Sequence, residues 1–371
     1  MTDAIGLYVH IPFCVKKCNY CDFCSFPTDS KQKSEYVDAL IEEILTYKRS
    51  PRIRVDTVFF GGGTPSLLDA DEIERIVKAI KSAFALTDGS EFTVEVNPGT
   101  VSLDKLLAIK AAGVNRLSIG FQTKHENELK MLGRIHNYED FIQTFNSARS
   151  LGFDNINVDI MYGIPHQTLS SFEETLTAIT ELSPEHISCY GLIVEPKTPF
   201  YDMKDTLPLP DEDTECDMYE LACKLLGLHG YEHYEISNYS KKGFQCKHNL
   251  KYWHDEEYIG VGLSAHSYYH GERIYTTSDI KEYFSKNSAN YRYGERTRGR
   301  DAFEYAMLAL RLTEGLSLRD YESVFGVPFT RGRETVIKKY ADAGLLKATD
   351  SSISLTEKGF YLSNTILSEL I

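Results

Sequence analysis

Four of the chain's eight cysteines fall within eleven residues near its start, Cys14-Val15-Lys16-Lys17-Cys18-Asn19-Tyr20-Cys21-Asp22-Phe23-Cys24. No other feature constrains the fold as tightly, because four near-adjacent cysteines on one short loop cannot all be core residues. Three thiolates spaced three and then two residues apart can wrap one corner of a cuboidal [4Fe-4S] cluster and ligate three irons. The fourth iron is then open to a small chelating ligand. A cluster serving electron transfer alone normally takes four thiolates, and a structural zinc takes two ligand pairs separated by a finger or ribbon. No second pair follows at such a distance, and the one nearby histidine, His10, sits in an apolar run that reads as the preceding strand.

Composition narrows the setting. With 371 residues and 42% hydrophobic residues the chain is long enough for one large domain and a smaller one. No run of eighteen apolar residues occurs, and Met1-Thr2-Asp3-Ala4-Ile5-Gly6 has neither a basic region nor an apolar signal segment, so a cytoplasmic protein without a transmembrane segment is expected. Half of the cysteines crowd at one end, which points to reduced thiols and metal binding rather than a disulfide framework. A net charge of −14 argues against nucleic acid as a general partner.

From residue 5 to about residue 190 short apolar runs alternate with amphipathic stretches of helical period. The runs are Gly6 to His10, Thr57 to Phe60, Phe92 to Val96, Arg116 to Ile119, Ile156 to Ile160 and His186 to Tyr190, with helices expected near 33–48, 70–84, 103–112, 138–151 and 170–182. Such alternation predicts an α/β fold with a parallel sheet and crossover helices, and six units fit a curved, incomplete (β/α)6 barrel. The unusual residues fall where these strands end: the cysteine loop, Gly61-Gly62-Gly63-Thr64-Pro65, Glu95-Val96-Asn97-Pro98-Gly99, Gly120-Phe121-Gln122 and Asp159-Ile160-Met161-Tyr162-Gly163. That is the face on which parallel α/β barrels build their sites. Consecutive glycines let backbone approach a ligand closely, Glu95 and Asp159 can accept hydrogen bonds and oppose a cation, and Arg134 suits a carboxylate.

These residues carry a resemblance. The C-x3-C-x2-C loop with Tyr20 before its third cysteine resembles the signature of the radical S-adenosylmethionine superfamily, in which the cofactor's amino and carboxylate groups chelate the fourth iron. The stretches Tyr8 to Cys14, Gly61 to Ser66, Glu95 to Gly99, Asn115 to Gln122, Leu132 to His136 and Asp159 to Pro165 are similar to those of the branch holding anaerobic coproporphyrinogen III dehydrogenases and HemW-type haem chaperones. The resemblance implies Cys14, Cys18 and Cys21 as [4Fe-4S] ligands. It also implies S-adenosylmethionine contacts at Tyr8, Tyr20, Gly62, Gly63, Thr64, Glu95, Gln122, Arg134 and Asp159. Cys24 stays open between a spare thiol, a transient partner and a packing role, and no catalytic residue is assigned.

Past Tyr190 the pattern changes. Asp211 to Leu228 reads as a helix whose Cys216 and Cys223, seven apart, are expected to be core thiols. An aromatic and histidine-rich region follows, through Gly230 to Tyr239, Cys246 to Trp253 and Gly260 to Ser267. It reads either as a buried cluster closing the barrel's open edge or as a site where a flat apolar ligand stacks on aromatics, with a histidine such as His248 as axial iron ligand. The stretch His248-Asn249-Leu250-Lys251-Tyr252-Trp253 resembles the H-N-x-x-Y-W segment tied to haem binding in HemW-type proteins, implying His248, Asn249, Tyr252 and Trp253 as haem contacts. The short segment before Cys14 and the Asp22-Phe23 pair before Cys24 both depart from the dehydrogenase pattern. From about Arg300, a helix through Phe303 to Leu312, helices near 318–325 and 332–343, and two short strands suggest a winged-helix-like domain used for packing or partner binding. The expected division is 1–240, a partial barrel with cluster and cofactor site; 241–300, a connecting region with the haem segment; and 301–371, the small C-terminal domain. The leading function is a haem chaperone delivering to an acceptor apoprotein, with a homodimer expected from the family. The alternatives are oxidative decarboxylation of coproporphyrinogen III and radical methyl transfer.

Overall fold

A computed structural model describes residues 4–285, 292–293 and 300–371, so the expected connecting region lies partly outside the described residues. Six strands, β1 (Ile5–Ile11), β2 (Ile53–Gly62), β3 (Phe84–Val96), β4 (Arg116–Gln122), β5 (Ile156–Tyr162) and β6 (His186–Gly191), lie side by side in chain order and pair in parallel. The crossovers carry α1 (Ser30–Leu45), α2 (Ala70–Ala83), α3 (Leu103–Ala112), α4 (Glu126–Leu132), α5 (Tyr138–Ser150) and α6 (Leu169–Leu182). Every residue of β4 is buried, as expected for a strand covered on both faces. The covering helices are amphipathic: in α2 a capping box of Asp69 and Glu72 starts the helix, and Ile73, Ile76, Val77 and Ile80 turn its apolar stripe onto the sheet.

The sheet stays open because its two edges take different extensions. After α7 (Pro199–Asp202) and α8 (Glu212–Leu228), a hairpin of β7 (Glu232–Glu235) and β8 (Asn238–Ser240) adds antiparallel to β6. The chain then forms α9 (Lys247–Trp253) and returns to the other edge, where β9 (Tyr258–Val261) pairs in parallel with β1 and is followed by antiparallel β10 (His266–Tyr269) and β11 (Glu272–Thr276). Beyond α10 (Ile280–Ser285), β12 (Arg292–Tyr293) completes a sheet of twelve described strands. The result is an incomplete barrel.

The C-terminal part has its own core. It runs α11 (Ala302–Ala309), β13 (Leu316–Ser317), α12 (Leu318–Phe325), α13 (Glu334–Asp342), β14 (Leu346–Ala348), β15 (Ser352–Leu355), α14 (Glu357–Tyr361) and α15 (Ser363–Leu370), with strand order β13-β15-β14. Helix, strand, two helices and a β-wing make it winged-helix-like. The first helix ends at Ala309 instead of running through Leu312, because the next residues pair with the hairpin edge: Ile236 N donates to Arg311 O at 2.9 Å and Thr313 N to Tyr234 O at 3.1 Å. Tyr162 and Cys223 pack against both the barrel core and the C-terminal core.

The expectation of two core thiols on α8 needs correction. Cys223 sits between the two cores and shares a 3.1 Å hydrogen bond with the Tyr239 hydroxyl. Cys216 is only half-buried and belongs to neither core, because it lies in the first turns of the helix, among the acidic Glu212, Asp213 and Glu215. Among the described residues no helix is long and apolar enough to cross a membrane.

Candidate functional site

The cysteine loop leaves β1 and is held at several points. Cys14 N donates to Phe26 O (3.1 Å) and Phe26 N to Pro12 O (2.8 Å), closing its neck. Asn19 fixes its tip: its backbone N–H donates to Leu132 O at 2.9 Å and its side-chain amide to Met131 O at 2.8 Å, both on α4. Tyr20 packs against an apolar cluster that includes Leu132, Met161 and Phe200.

The glycine triplet supports this loop from below. Gly63 N donates to Ile11 O at 2.8 Å and Thr64 N to Phe13 O at 2.7 Å. A Cβ on Gly63 would lie 2.7 Å from Phe13 O, and one on Gly62 (φ +109°) would lie 2.4 Å from the His10 ring. Gly62 and Gly63 therefore let β2 press against the root of the cysteine loop.

Polar groups from the β2 end, the turn after α4 and the loop itself reach the sulfurs. Thr64 Oγ1 is 3.6 Å from Cys14 Sγ, Arg134 Nη1 is 3.7 Å from Cys18 Sγ, and Ser25 Oγ is 3.9 Å from Cys21 Sγ. Asn97 links two of these donors, giving its amide to Thr64 Oγ1 at 2.7 Å and accepting from Arg134 Nη2 at 2.6 Å. Arg134 Nη2 also donates to Gly120 O at 2.6 Å, at the end of β4. Burial pushes the Cys14 and Cys21 thiols up, while hydrogen bonds from the partners around them pull the other way. Cys24 stands apart: its carbonyl accepts from His10 Nε2 at 2.8 Å, which leaves His10 Nδ1 to accept from the Tyr8 hydroxyl at 3.0 Å. Among the described residues no three His, Cys, Asp or Glu side chains are grouped to hold a single metal ion.

Two carboxyls lie deeper between the strands. Glu95 Oε2 accepts from Gly62 N at 3.1 Å, and burial together with the neighbouring Asp159 carboxylate pushes its pKa up to about 8. Asp159 is also raised by burial, against hydrogen bonds from Asn157 (2.7 Å) and Ser118 (3.3 Å). Gln122 adopts a left-handed conformation (φ +74°) at an irregularity between β4 and β5, and its Oε1 accepts from the Tyr190 hydroxyl at 2.9 Å. A strained residue at the end of a barrel strand is the kind of feature that accompanies a site.

A cavity of about 530 Å3 opens beside the loop. Its lining comes from β1 (Tyr8, His10), the cysteine loop (Phe23, Cys24), α9 (Tyr252), the edge strands (Tyr258, His266, Arg273) and α11 (Glu304, Leu308). A second cavity of about 450 Å3 shares Tyr258, His266, Arg273 and Glu304 with it.

The segment 247–253 lies within the barrel rather than on its surface. Glu91 of β3 accepts from the backbone of Lys247 and His248, both at 3.1 Å, and so anchors the start of α9. His248 is 1% exposed, with Nδ1 2.8 Å from Thr57 Oγ1 and Nε2 2.7 Å from the Tyr252 hydroxyl. Burial holds it neutral, with a pKa lowered to about 3. Asn249 and Trp253 are half-buried, and Trp253 approaches the Glu235 carboxyl. Tyr252 alone of the four expected haem contacts lines the large cavity.

Sequence reasoning did not single out His10, Asn97 or His266 as site residues. His10 and Asn97 lie inside the motifs that carry the resemblance and His266 inside the histidine-rich stretch Gly260 to Ser267, and that position was the available signal.

The sequence pattern of the radical SAM superfamily matches residues 8–179, and that of the HemN C-terminal domain matches residues 298–362. The chain is 38% identical to the heme chaperone HemW of Bacillus subtilis (strain 168), over 97% of each chain. It is 35% identical to the heme chaperone HemW of Escherichia coli (strain K12), covering 98% of this chain and 97% of that one. The solved structure of coproporphyrinogen III oxidase (HemN) from Escherichia coli, described as a radical SAM enzyme, superposes with a TM-score of 0.85 at 25% identity, over 99% of this chain and 90% of that one.

Proposed function

Because the chain belongs to the HemW family of the radical SAM superfamily, we propose that it is a haem chaperone, binding haem and passing it to an acceptor apoprotein. In this reading Cys14, Cys18 and Cys21 hold three irons of a [4Fe-4S] cluster, and S-adenosylmethionine chelates the fourth. The donor set fits: three half-buried sulfurs on one loop each have a hydroxyl or guanidinium donor near, and none is grouped for a single ion. When bound, the cluster and cofactor supply reductive cleavage of the sulfonium.

The chain's own residues carry the rest. Tyr20 anchors the loop, and Gly62, Gly63 and Thr64 seat its root. Arg134 spans the loop and the end of β4. Glu95 and Asp159 offer the paired negative charge that a sulfonium and an ammonium need, and Gln122 and Tyr8 supply polar groups at neighbouring strand ends. Haem, as cargo, occupies the 530 Å3 cavity, a size suited to a cofactor-sized ligand, with Tyr252 of the 248–253 segment on its wall. The cysteine usage suits a reducing compartment, the cytoplasm.

The observation that carries this reading is the near-full-length identity with HemW proteins. An anaerobic haem titration of the cluster-reconstituted protein tests it, followed by transfer to an apoprotein. A saturable one-to-one Soret band, little affected by excess coproporphyrin III, is expected. Absence of that band, or release of carbon dioxide from coproporphyrinogen III, sends the assignment to the decarboxylase instead.

A further inference from the structure

The stretch Gly260-Val261-Gly262-Leu263-Ser264-Ala265-His266, which lines the large cavity through Ser264 and His266, has been given no chemical role so far, and its backbone is tightly constrained. Gly262 (φ +100°) and Ser264 (φ +59°) both take left-handed conformations. Gly262 N donates to Glu43 Oε2 and Leu263 N to the Tyr36 hydroxyl, each at 2.9 Å, bolting the turn to α1. A Cβ on Gly260 would lie 2.0 Å from His266 O, so only glycine lets β10 fold back this closely on β9. The turn sets Ser264 and His266 at the large cavity, and His266, which is exposed, lines both cavities and has no hydrogen bond to its ring from any described residue. Tyr275 backs the ring at 5.7 Å between centroids.

An axial iron ligand needs a neutral imidazole with a nitrogen lone pair free and facing the metal. His248 offers neither nitrogen, since Thr57 and Tyr252 hold both inside the barrel. We propose that His266 is the histidine ligand to haem iron, and that His248 is a positioning residue that holds Tyr252 against the porphyrin face. The inference rests on the haem-chaperone reading and assigns its ligand. The cavity around His266 suits a flat iron tetrapyrrole: Tyr8, Phe23, Tyr252 and Tyr258 supply aromatic surface, and Arg273, paired with Asp255 and Glu304, adds a cation to its lining.

The test uses ferric haem with the full-length, cluster-reconstituted chain, its His266→Ala and His248→Gln variants, and His270→Ala as a control histidine of the same edge. Binding is followed by the Soret band, and ligation by electron paramagnetic resonance and resonance Raman. The unaltered protein and His270→Ala should share one histidine-ligated spectrum. His266→Ala should lose it and bind at least tenfold more weakly, with exogenous imidazole restoring the spectrum, while His248→Gln keeps the histidine signature with at most a shifted band. Saturable binding with unchanged ligation in His266→Ala overturns the assignment alone, as does loss of the signature in His248→Gln. No saturable binding by the unaltered protein overturns the haem reading itself, and the assignment with it.

Discussion

Burial and the neighbouring Asp159 charge raise the cost of ionising Glu95, burial does the same to Asp159, and the attraction of Arg116 offsets this only in part; a cation bound between the strand ends would relieve it further. With its pKa at about 8, Glu95 is mostly protonated at pH 7 in the free protein. A sulfonium ligand favours the ionised form, so binding releases a proton below that value. Affinity for S-adenosylmethionine is therefore expected to rise with pH from 6 to 8, by at most about tenfold per unit for one proton, and to level off above. Glu95→Gln should bind more weakly and lose this slope; calorimetry at pH 6, 7 and 8 on cluster-reconstituted protein checks it, and an unchanged slope in the variant would assign the proton elsewhere. Residues such as Glu95 and Thr64 were legible in the sequence because their chemistry is their own and they close strands. His10 and Asn97 were not, because they act through others: His10 joins Tyr8 to the Cys24 carbonyl and Asn97 joins Thr64 to Arg134. Such pairings exist only once β1, β2, β3 and the α4 end have met.

Among elements, the β2 end and the cysteine loop form a single unit, and the glycines are its contact surface. Gly63→Ala forces a Cβ to within 2.7 Å of the Phe13 carbonyl, a backbone atom that cannot swing aside as a side chain can. The loop must lift, so the variant should lose cluster absorbance after reconstitution and melt lower, at a cost of about 1–3 kcal/mol by analogy with other overpacked sites. An alanine variant with full iron content and an unchanged melting temperature would show that the contact is dispensable. All six parallel strands were legible from their apolar runs, since a strand covered on both faces has little choice of composition. The length of β3 was not. The strand begins at Phe84, because Ile53, Arg54 and Val55 of β2 pair with Phe84, Ala85 and Leu86; Thr87 to Ser90 then bulge out of the ladder, with Gly89 at φ +71°, before pairing resumes at Glu91. The α9 segment was legible as a motif but not in placement, because the Glu91 anchor that draws it into the barrel lies more than 150 residues away.

For the whole molecule, buried titratable groups set the pH range in which the sheet and its C-terminal partner stay together. His10, His136, His186, His233 and His248 are all held neutral, with pKa values below the ordinary 6.5 because burial disfavours the charged ring. Below that value the unfolded chain binds protons that the native state refuses, so stability falls as pH drops from 6.5 toward the native values of about 4 for His136 and His233 and about 3 for His248. Glu95 and Glu235 act in the opposite sense. Their native values of about 8 and about 7 exceed the ordinary 4.5, so the native state holds protons that the unfolded chain has lost, and stability declines as pH rises through that interval. Between 4.5 and 6.5 these five histidines outnumber Glu95 and Glu235; above 6.5 the histidine contribution is complete while that of the two carboxyls continues, and below 4.5 carboxylates held low by their partners, Asp69 and Glu314, add to the acid limb. The melting temperature is therefore expected to peak near pH 6–7, to fall gently toward pH 8 and steeply below pH 5. Scanning calorimetry at fixed cluster content across pH 4 to 9 checks this. His248→Gln offers a neutral amide in place of the ring, so whatever it costs at pH 7, its acid limb should be shallower than that of the unaltered protein. An acid limb of equal slope would mean that His248 is not among the groups that drive acid unfolding, and that the barrel opens around α9 before the rest gives way.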